Sequence, residues 1–124
     1  MATIEIDTDE LERKLKAYPD EMEKRAGFAV EATVRKVQDT ARLHAPEDTL
    51  NLKGSITIET DGLEGETFTV VEYARIQEFG GTTPNGGDIK GKHYMQQGAD
   101  ENKPLFREQV AAAIRLTGEE VSNS

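Results

Sequence analysis

No proline interrupts the chain between Pro19 and Pro46, and within that stretch Met22, Ala26, Val30, Val34, Val37, Ala41 and His44 fall at steps of four and three. That spacing marks one face of an α-helix. Pro19 suits a first helical position, where its missing N–H costs nothing. The helix must finish before Pro46, so it ends near His44 and is about 39 Å long at 1.5 Å per residue. Gly27 weakens it by roughly 1 kcal/mol relative to alanine, but leaves room for a neighbour to approach. Glu23, Lys24, Glu31, Arg35 and Asp39 lie opposite the apolar stripe. They form either a solvated face or a subunit contact. This is the longest helix the sequence predicts.

Upstream, Ile4 and Ile6 alternate with polar residues over Thr3–Asp7, which predicts a short edge strand within residues 1–7. Thr8 then caps a first helix, with Asp9 and Glu10 at the positive end of its dipole and Leu11 and Leu15 as its buried stripe. It stops near Tyr18, because a proline disfavours helix at the residue before it.

Downstream, Glu47–Gly54 is polar and turn-like. Ser55–Thr60 and Thr67–Val71 alternate on either side of Asp61-Gly62-Leu63-Glu64-Gly65, predicting an antiparallel hairpin with Ile56, Ile58, Phe68 and Val70 facing inward. Tyr73, Ile76 and Phe79 follow at three-residue spacing and form one face of a helical turn, with Arg75 and Glu78 pointing elsewhere and Gly80 ending the turn in the left-handed region. Thr82–Lys92, with Gly86, Gly87, Gly91 and Pro84, is costly to order and reads as a mobile loop. The last third is helical, with Tyr94, Met95 and Ala99 as one stripe and Leu105, Phe106, Val110, Ala113 and Ile114 as another. Pro104 either kinks a single helix or starts a second one capped by Asn102. Thr117-Gly118 ends it, and residues 119–124 are a polar, frayed tail.

The 124 residues make one domain. Only 35% are hydrophobic and 6% aromatic, so the core is thin and an oligomer interface would complete it. There is no cysteine, which removes disulfides and thiolate metal sites and leaves the redox compartment open. No apolar run approaches the roughly 20 residues that span a bilayer, and no signal-peptide pattern opens the chain. A soluble protein made in a cytoplasm is expected, without a membrane partner. The net charge of −9 argues against a broad grip on nucleic acid, which needs clustered cations. It suits a wall that DNA slides past, though solubility or a salty host explains it as simply.

Catalysis finds no constellation. The two histidines, His44 and His93, are far apart in sequence, and no residues carry the spacing of a metal site. His44 reads as a boundary residue of the long helix. Gly86-x-x-x-x-Gly91-Lys92 has the outline of a phosphate-cradling loop, but His93 stands where Ser or Thr must hold magnesium, and no parallel sheet is available. The expectation is no enzyme, no cofactor and no metal.

Three segments carry a resemblance. Tyr73-Ala74-x-x-x-Glu78-Phe79-Gly80 is similar to the signature of the tail-completion, or minor tail-component, neck proteins of long-tailed (siphovirus-like) phages. Ala45-Pro46-x-x-Thr49-x-x-Leu52-x-x-Ser55-Ile56 resembles a second motif of that family, and the entry through His93-Tyr94 into the last helix a third. The family has glycine after the threonine where this chain has Leu50-Asn51, so the turn must be built differently, with Asn51 a candidate for the left-handed region. The resemblance implies a structural α+β domain, with a long N-terminal helix packed on a small antiparallel sheet and a C-terminal helix. It implies a virion protein of the tail neck, a homo-oligomer expected to be a hexamer. Its partners would be the head-closure or connector protein and the tail terminator or tail tube, with DNA passing through the channel unbound. Interface residues are expected in Thr82, Thr83, Pro84, Asn85, Gly86, Gly87, Asp88, Ile89, Lys90 and Lys92. Pro46, Thr49, Leu52, Ser55, Tyr73, Glu78, Phe79, Gly80 and Tyr94 would be structural. A tail terminator or head-closure protein, or a free acidic regulator mimicking nucleic acid, are the alternatives.

Overall fold

A computed structural model of the chain describes residues 9–46, 50–71, 73–82 and 85–118. The expected strand at 3–7, the Thr8 cap, Thr49, Thr83, Pro84 and the tail at 119–124 lie outside the described residues. The elements run α1 (Asp9–Ala17), α2 (Pro19–His44), α3 (Leu50–Ser55), β1 (Thr57–Asp61), β2 (Glu64–Phe68), α4 (Ala74–Phe79), β3 (Gly80–Thr82), β4 (Asp88–Lys90) and α5 (Tyr94–Leu116). The class is α+β, as expected.

Helix α2 occupies the predicted span, from Pro19 to the residue before Ala45, whose extended backbone (φ −66°, ψ 148°) is what the following proline demands. Its buried side is Met22, Ala26, Val30, Val34, Val37 and Ala41, widened by Ala29 and Thr33, which sequence spacing alone did not single out. Thr33 is tolerated there because its hydroxyl donates to the Ala29 carbonyl at 2.8 Å. Helix α5 packs antiparallel along this stripe and makes the main helix pair. Gly98 permits the closeness: a Cβ there would lie 2.9 Å from the Val37 carbonyl oxygen. One apolar cluster joins Met22, Ala26 and Ala113 to Leu11 and Leu15 of α1 and to Ile114. A second, at the other end, joins Ala41, Ala45, Leu52, Ile56, Ala74 and Tyr94.

The structure decides between the two readings of Pro104: α5 runs through it as a single helix. Asn102 is no cap. It is buried, and its amide donates to Thr40 Oγ1 (2.9 Å) on α2 and to the Gly98 carbonyl (2.8 Å), so it ties the two long helices together.

Other expectations are corrected. Leu50–Ser55 is a helix, not a turn, and Asn51 is not left-handed; His93 is the sole non-glycine residue with positive φ among those described. Leu52 drives this by burying completely, and Arg42 of α2 holds the end of the helix by donating to the carbonyls of Lys53 and Ile56, each at 3.1 Å. The first hairpin exists, but it is tighter and shifted: Asp61 pairs with Glu64 across a two-residue Gly62-Leu63 turn. Gly62, first in the turn, alone carries the positive φ (59°), as a hairpin that begins its turn with glycine requires. Ser55 and Ile56 precede β1, with Ile56 fully buried. Phe68 alternates with Thr67, which bonds α2, and so lies on the opposite face of the hairpin. Val70 lies beyond β2 and is 86% exposed rather than inward-facing. Gly27 does accept a neighbour: a Cβ there would meet the Gly62 carbonyl at 3.4 Å.

Candidate assembly site

The short helix α4 turns the expected face inside out. Its buried residues are Ala74 and Glu78, while Tyr73 is 37% exposed, Phe79 is 58% exposed and Ile76 is half-buried. The reason lies in what Glu78 does. Its carboxylate accepts hydrogen bonds from the backbone N–H groups of Met95 (2.8 Å) and Gln96 (3.0 Å), in the first turn of α5. Those donors have no partner within their own helix, and an anion there also complements the helix dipole. A carboxylate bonded in this way can be buried at low cost. Ala74 is the residue one turn earlier on the same face, small enough to let Tyr94 pass over it. Tyr94 is fully buried, and its hydroxyl donates to the Ala74 carbonyl at 3.0 Å. Burial and, secondarily, the Glu78 carboxylate push the Tyr94 pKa up to about 12.

This junction fixes both ends of the segment between α4 and α5. Gly80 ends α4 with φ 81° and ψ 175°, a positive-φ extended conformation rather than the expected left-handed helix. A Cβ on Gly80 would lie 2.7 Å from the Ile89 carbonyl oxygen, and one on Gly91 would lie 2.7 Å from the Glu78 carbonyl oxygen. Both glycines are therefore required for two backbones to touch. Lys92 and His93 donate their N–H groups to the carbonyls of Gln77 (2.8 Å) and Glu78 (3.0 Å). His93 takes the left-handed conformation (φ 50°) at the entry to α5, and its ring meets Phe79 edge-on at 6.3 Å.

Between these anchors the segment expected to be an irregular, mobile loop is a second two-stranded hairpin. Gly80 pairs with Lys90, Gly81 with Ile89 and Thr82 with Asp88. Thr82, Asn85, Gly86, Gly87, Asp88, Lys90 and Lys92 are exposed, and Ile89 is half-buried. The motif residues divide otherwise: Leu52, Glu78 and Tyr94 are buried, Pro46, Ser55 and Gly80 are intermediate, and Tyr73 and Phe79 face outward. Nothing in the local pattern could have assigned Glu78 its role, since its partners lie seventeen and eighteen residues further on.

An open groove of about 940 Å³ runs beside this junction, floored by Val34 and Val37 of α2 and walled by β2 and by Phe79, Met95 and Phe106. No buried side-chain N or O among the described residues lacks a hydrogen-bond partner, so no unsatisfied polar group is aimed into the groove. Among the described residues no group of His, Asp and Glu could hold a metal ion, and no helix is long and apolar enough to cross a membrane. His44, expected to be a boundary residue, pairs with Glu101 of α5 at 3.0 Å. What the arrangement offers chemically is surface: an exposed hairpin on a buried, hydrogen-bonded anchor.

Residues 9–80 match the model of the HK97-gp10-like family, described as "Bacteriophage HK97-gp10, putative tail-component". The match covers α1 through α4, including the Glu78 anchor. No curated protein and no solved structure matches the chain.

Proposed function

The chain belongs to the HK97-gp10-like family of bacteriophage tail components, and from that premise we propose that it completes the tail at the neck. There it joins the tail to the head connector as a ring of copies, six in number, around the DNA channel. The observation that carries this reading is the β3–β4 hairpin, an exposed element whose two ends are fixed by Gly80, Gly91 and the Glu78 bonds. A rigidly mounted hairpin loses little freedom on docking, which favours specific contact over non-specific adhesion. The protein acts without a catalytic step or a cofactor. Its net charge of −9 keeps the ring from retaining the DNA that passes through it.

The test is a phage carrying a nonsense mutation in this gene. The expected lysate contains filled heads and separate tails of normal length, which become infectious when the purified protein is added. Joined, infectious particles at normal yield would overturn the proposal. Tails of uncontrolled length would instead identify the protein as a tail terminator.

A further inference from the structure

The β1–β2 hairpin carries its charges in an unfavourable way. Its inner face is set by Gly65, where a Cβ would lie 2.6 Å from Val30 Cγ1, and by Thr67, whose hydroxyl donates to the Val34 carbonyl at 3.0 Å. Alternation along the strands therefore turns Glu59, Asp61, Glu64 and Glu66 to the outer face. The register sets Glu59 directly opposite Glu66, and Asp61 directly opposite Glu64. Like charges so placed destabilise a two-stranded sheet, and no ion pair with any described residue relieves them. The hairpin has only two strands, and its packing against α2 is what supports it.

The same chain holds a surface of opposite sign around the second hairpin. Lys90 and Lys92 are exposed there and make no ion pair among the described residues, and Asp88 is exposed on the same hairpin. Arg75, also exposed, lines the groove that the acidic hairpin shares within its own copy. Glu78, on α4, is buried against α5. Arg75 lies over the ring of Phe79, itself exposed, at 5.9 Å. On the acidic side, Val70 is exposed just beyond β2. Charge and apolar surface are thus both present on each side.

We propose that the outer face of the β1–β2 hairpin of one copy docks the β3–β4 hairpin of a second copy, with Lys90 and Lys92 set against the Glu59–Glu66 and Asp61–Glu64 pairs. The contact joins two different patches, so it is head-to-tail, the kind of contact that forms a ring when its rotation closes. It rests on the reading of this chain as a ring-forming tail component and names the surfaces that form the ring. Because it is charge-driven, it weakens as salt screens it.

The chain has no cysteine, so single introduced thiols report the contact. Glu66→Cys and Lys90→Cys variants, both at exposed positions, are mixed and treated with a short thiol–thiol cross-linker. The mixture should give covalent dimers about tenfold faster than Glu66→Cys mixed with Arg35→Cys, a control on the outer face of α2. Raising the salt from about 0.05 M to about 0.5 M should remove most of that advantage. A Lys90→Glu, Lys92→Glu pair of substitutions should abolish it, and Glu59→Lys with Glu66→Lys in the partner should restore binding by co-sedimentation. Equal rates with the control, insensitivity to salt, or no rescue by the swap would each overturn the proposal. The same cross-link sought in purified particles separates two failures. Particles that contain the chain but lack the cross-link refute this interface alone, whereas particles without the chain refute the tail reading beneath it.

Discussion

Tyr94 Oη donates a 3.0 Å hydrogen bond to the carbonyl of Ala74, fastening the first turn of α5 to the first turn of α4 inside the core. Removing the hydroxyl in Tyr94→Phe should cost about 0.5–1.5 kcal/mol in urea unfolding. Tyr94→Ala should cost about 3–5 kcal/mol, because it also leaves a cavity. The hydroxyl adds a pH dependence. Its pKa is raised to about 12 in the native state by burial and by Glu78, against about 10 in an unfolded chain. Its contribution is therefore full below about pH 10 and is lost as pH rises through about 12. The stability difference between wild type and Tyr94→Phe should shrink over that window, and a constant difference would show that the phenol titrates normally.

Glu78 is expected to matter more for stability than the exposed aromatic residues beside it, Tyr73 and Phe79. Glu78→Ala leaves two N–H groups at the start of α5 without acceptors and should cost about 1–3 kcal/mol. Glu78→Gln retains one acceptor oxygen and should cost about half as much. Hydrogen exchange at the Met95 and Gln96 amides should accelerate in Glu78→Ala before exchange elsewhere in α5 does.

Phe79 should behave in the opposite way. It is 58% exposed, so Phe79→Ala should change stability by less than about 1 kcal/mol. If the exposed ring is part of the docking surface, the same variant should be incorporated poorly into tails. A large fall in melting temperature would place the ring back in the core.

Two helix glycines should respond with opposite signs. Around Gly54 nothing lies within 4 Å of an added Cβ, so Gly54→Ala should stabilise by up to about 1 kcal/mol through helix propensity. At Gly98 the added carbon would lie 2.9 Å from the Val37 carbonyl oxygen and 3.3 Å from Ala41. Gly98→Ala should therefore separate α2 from α5 and cost about 1–3 kcal/mol. Thermal unfolding of the two variants checks both signs.

The long helices were legible in sequence because their signals are local. Pro19 and Pro46 bound α2, and its stripe from Met22 to Ala41 repeats at helical spacing over several turns, so no single residue has to decide. The first hairpin was legible in kind but not in register. Gly62 and Gly65 both look like turn residues, yet Gly65 is there to let β2 approach Val30 and Val34, which only the packed helix reveals. Helix α3 was missed because it spans only six residues, Leu50–Ser55, with Leu52 buried among polar neighbours, too short a run to show a helical period. The face of α4 was misread for a physical reason: three apolar residues at the right spacing lost to a carboxylate that caps a helix remote in sequence. The second hairpin hid behind its glycines, whose composition suggests looseness, whereas Gly80 and Gly91 are the points of closest backbone contact.

Shortening the segment between Gly81 and Gly91 to a tight turn should leave the domain folded, since both anchors lie outside the deletion. Tail attachment should fail in particles carrying it. Normal joining would remove the β3–β4 hairpin from the assembly role.

The most direct measurement is a reconstruction of the joined head–tail particle with this chain located in density. A ring of six copies at the head-proximal end of the tail is expected, with the β3–β4 hairpin of each copy against the outer face of the β1–β2 hairpin of the next. A particle in which the chain is absent, or sits away from the neck, would contradict the function proposed for it.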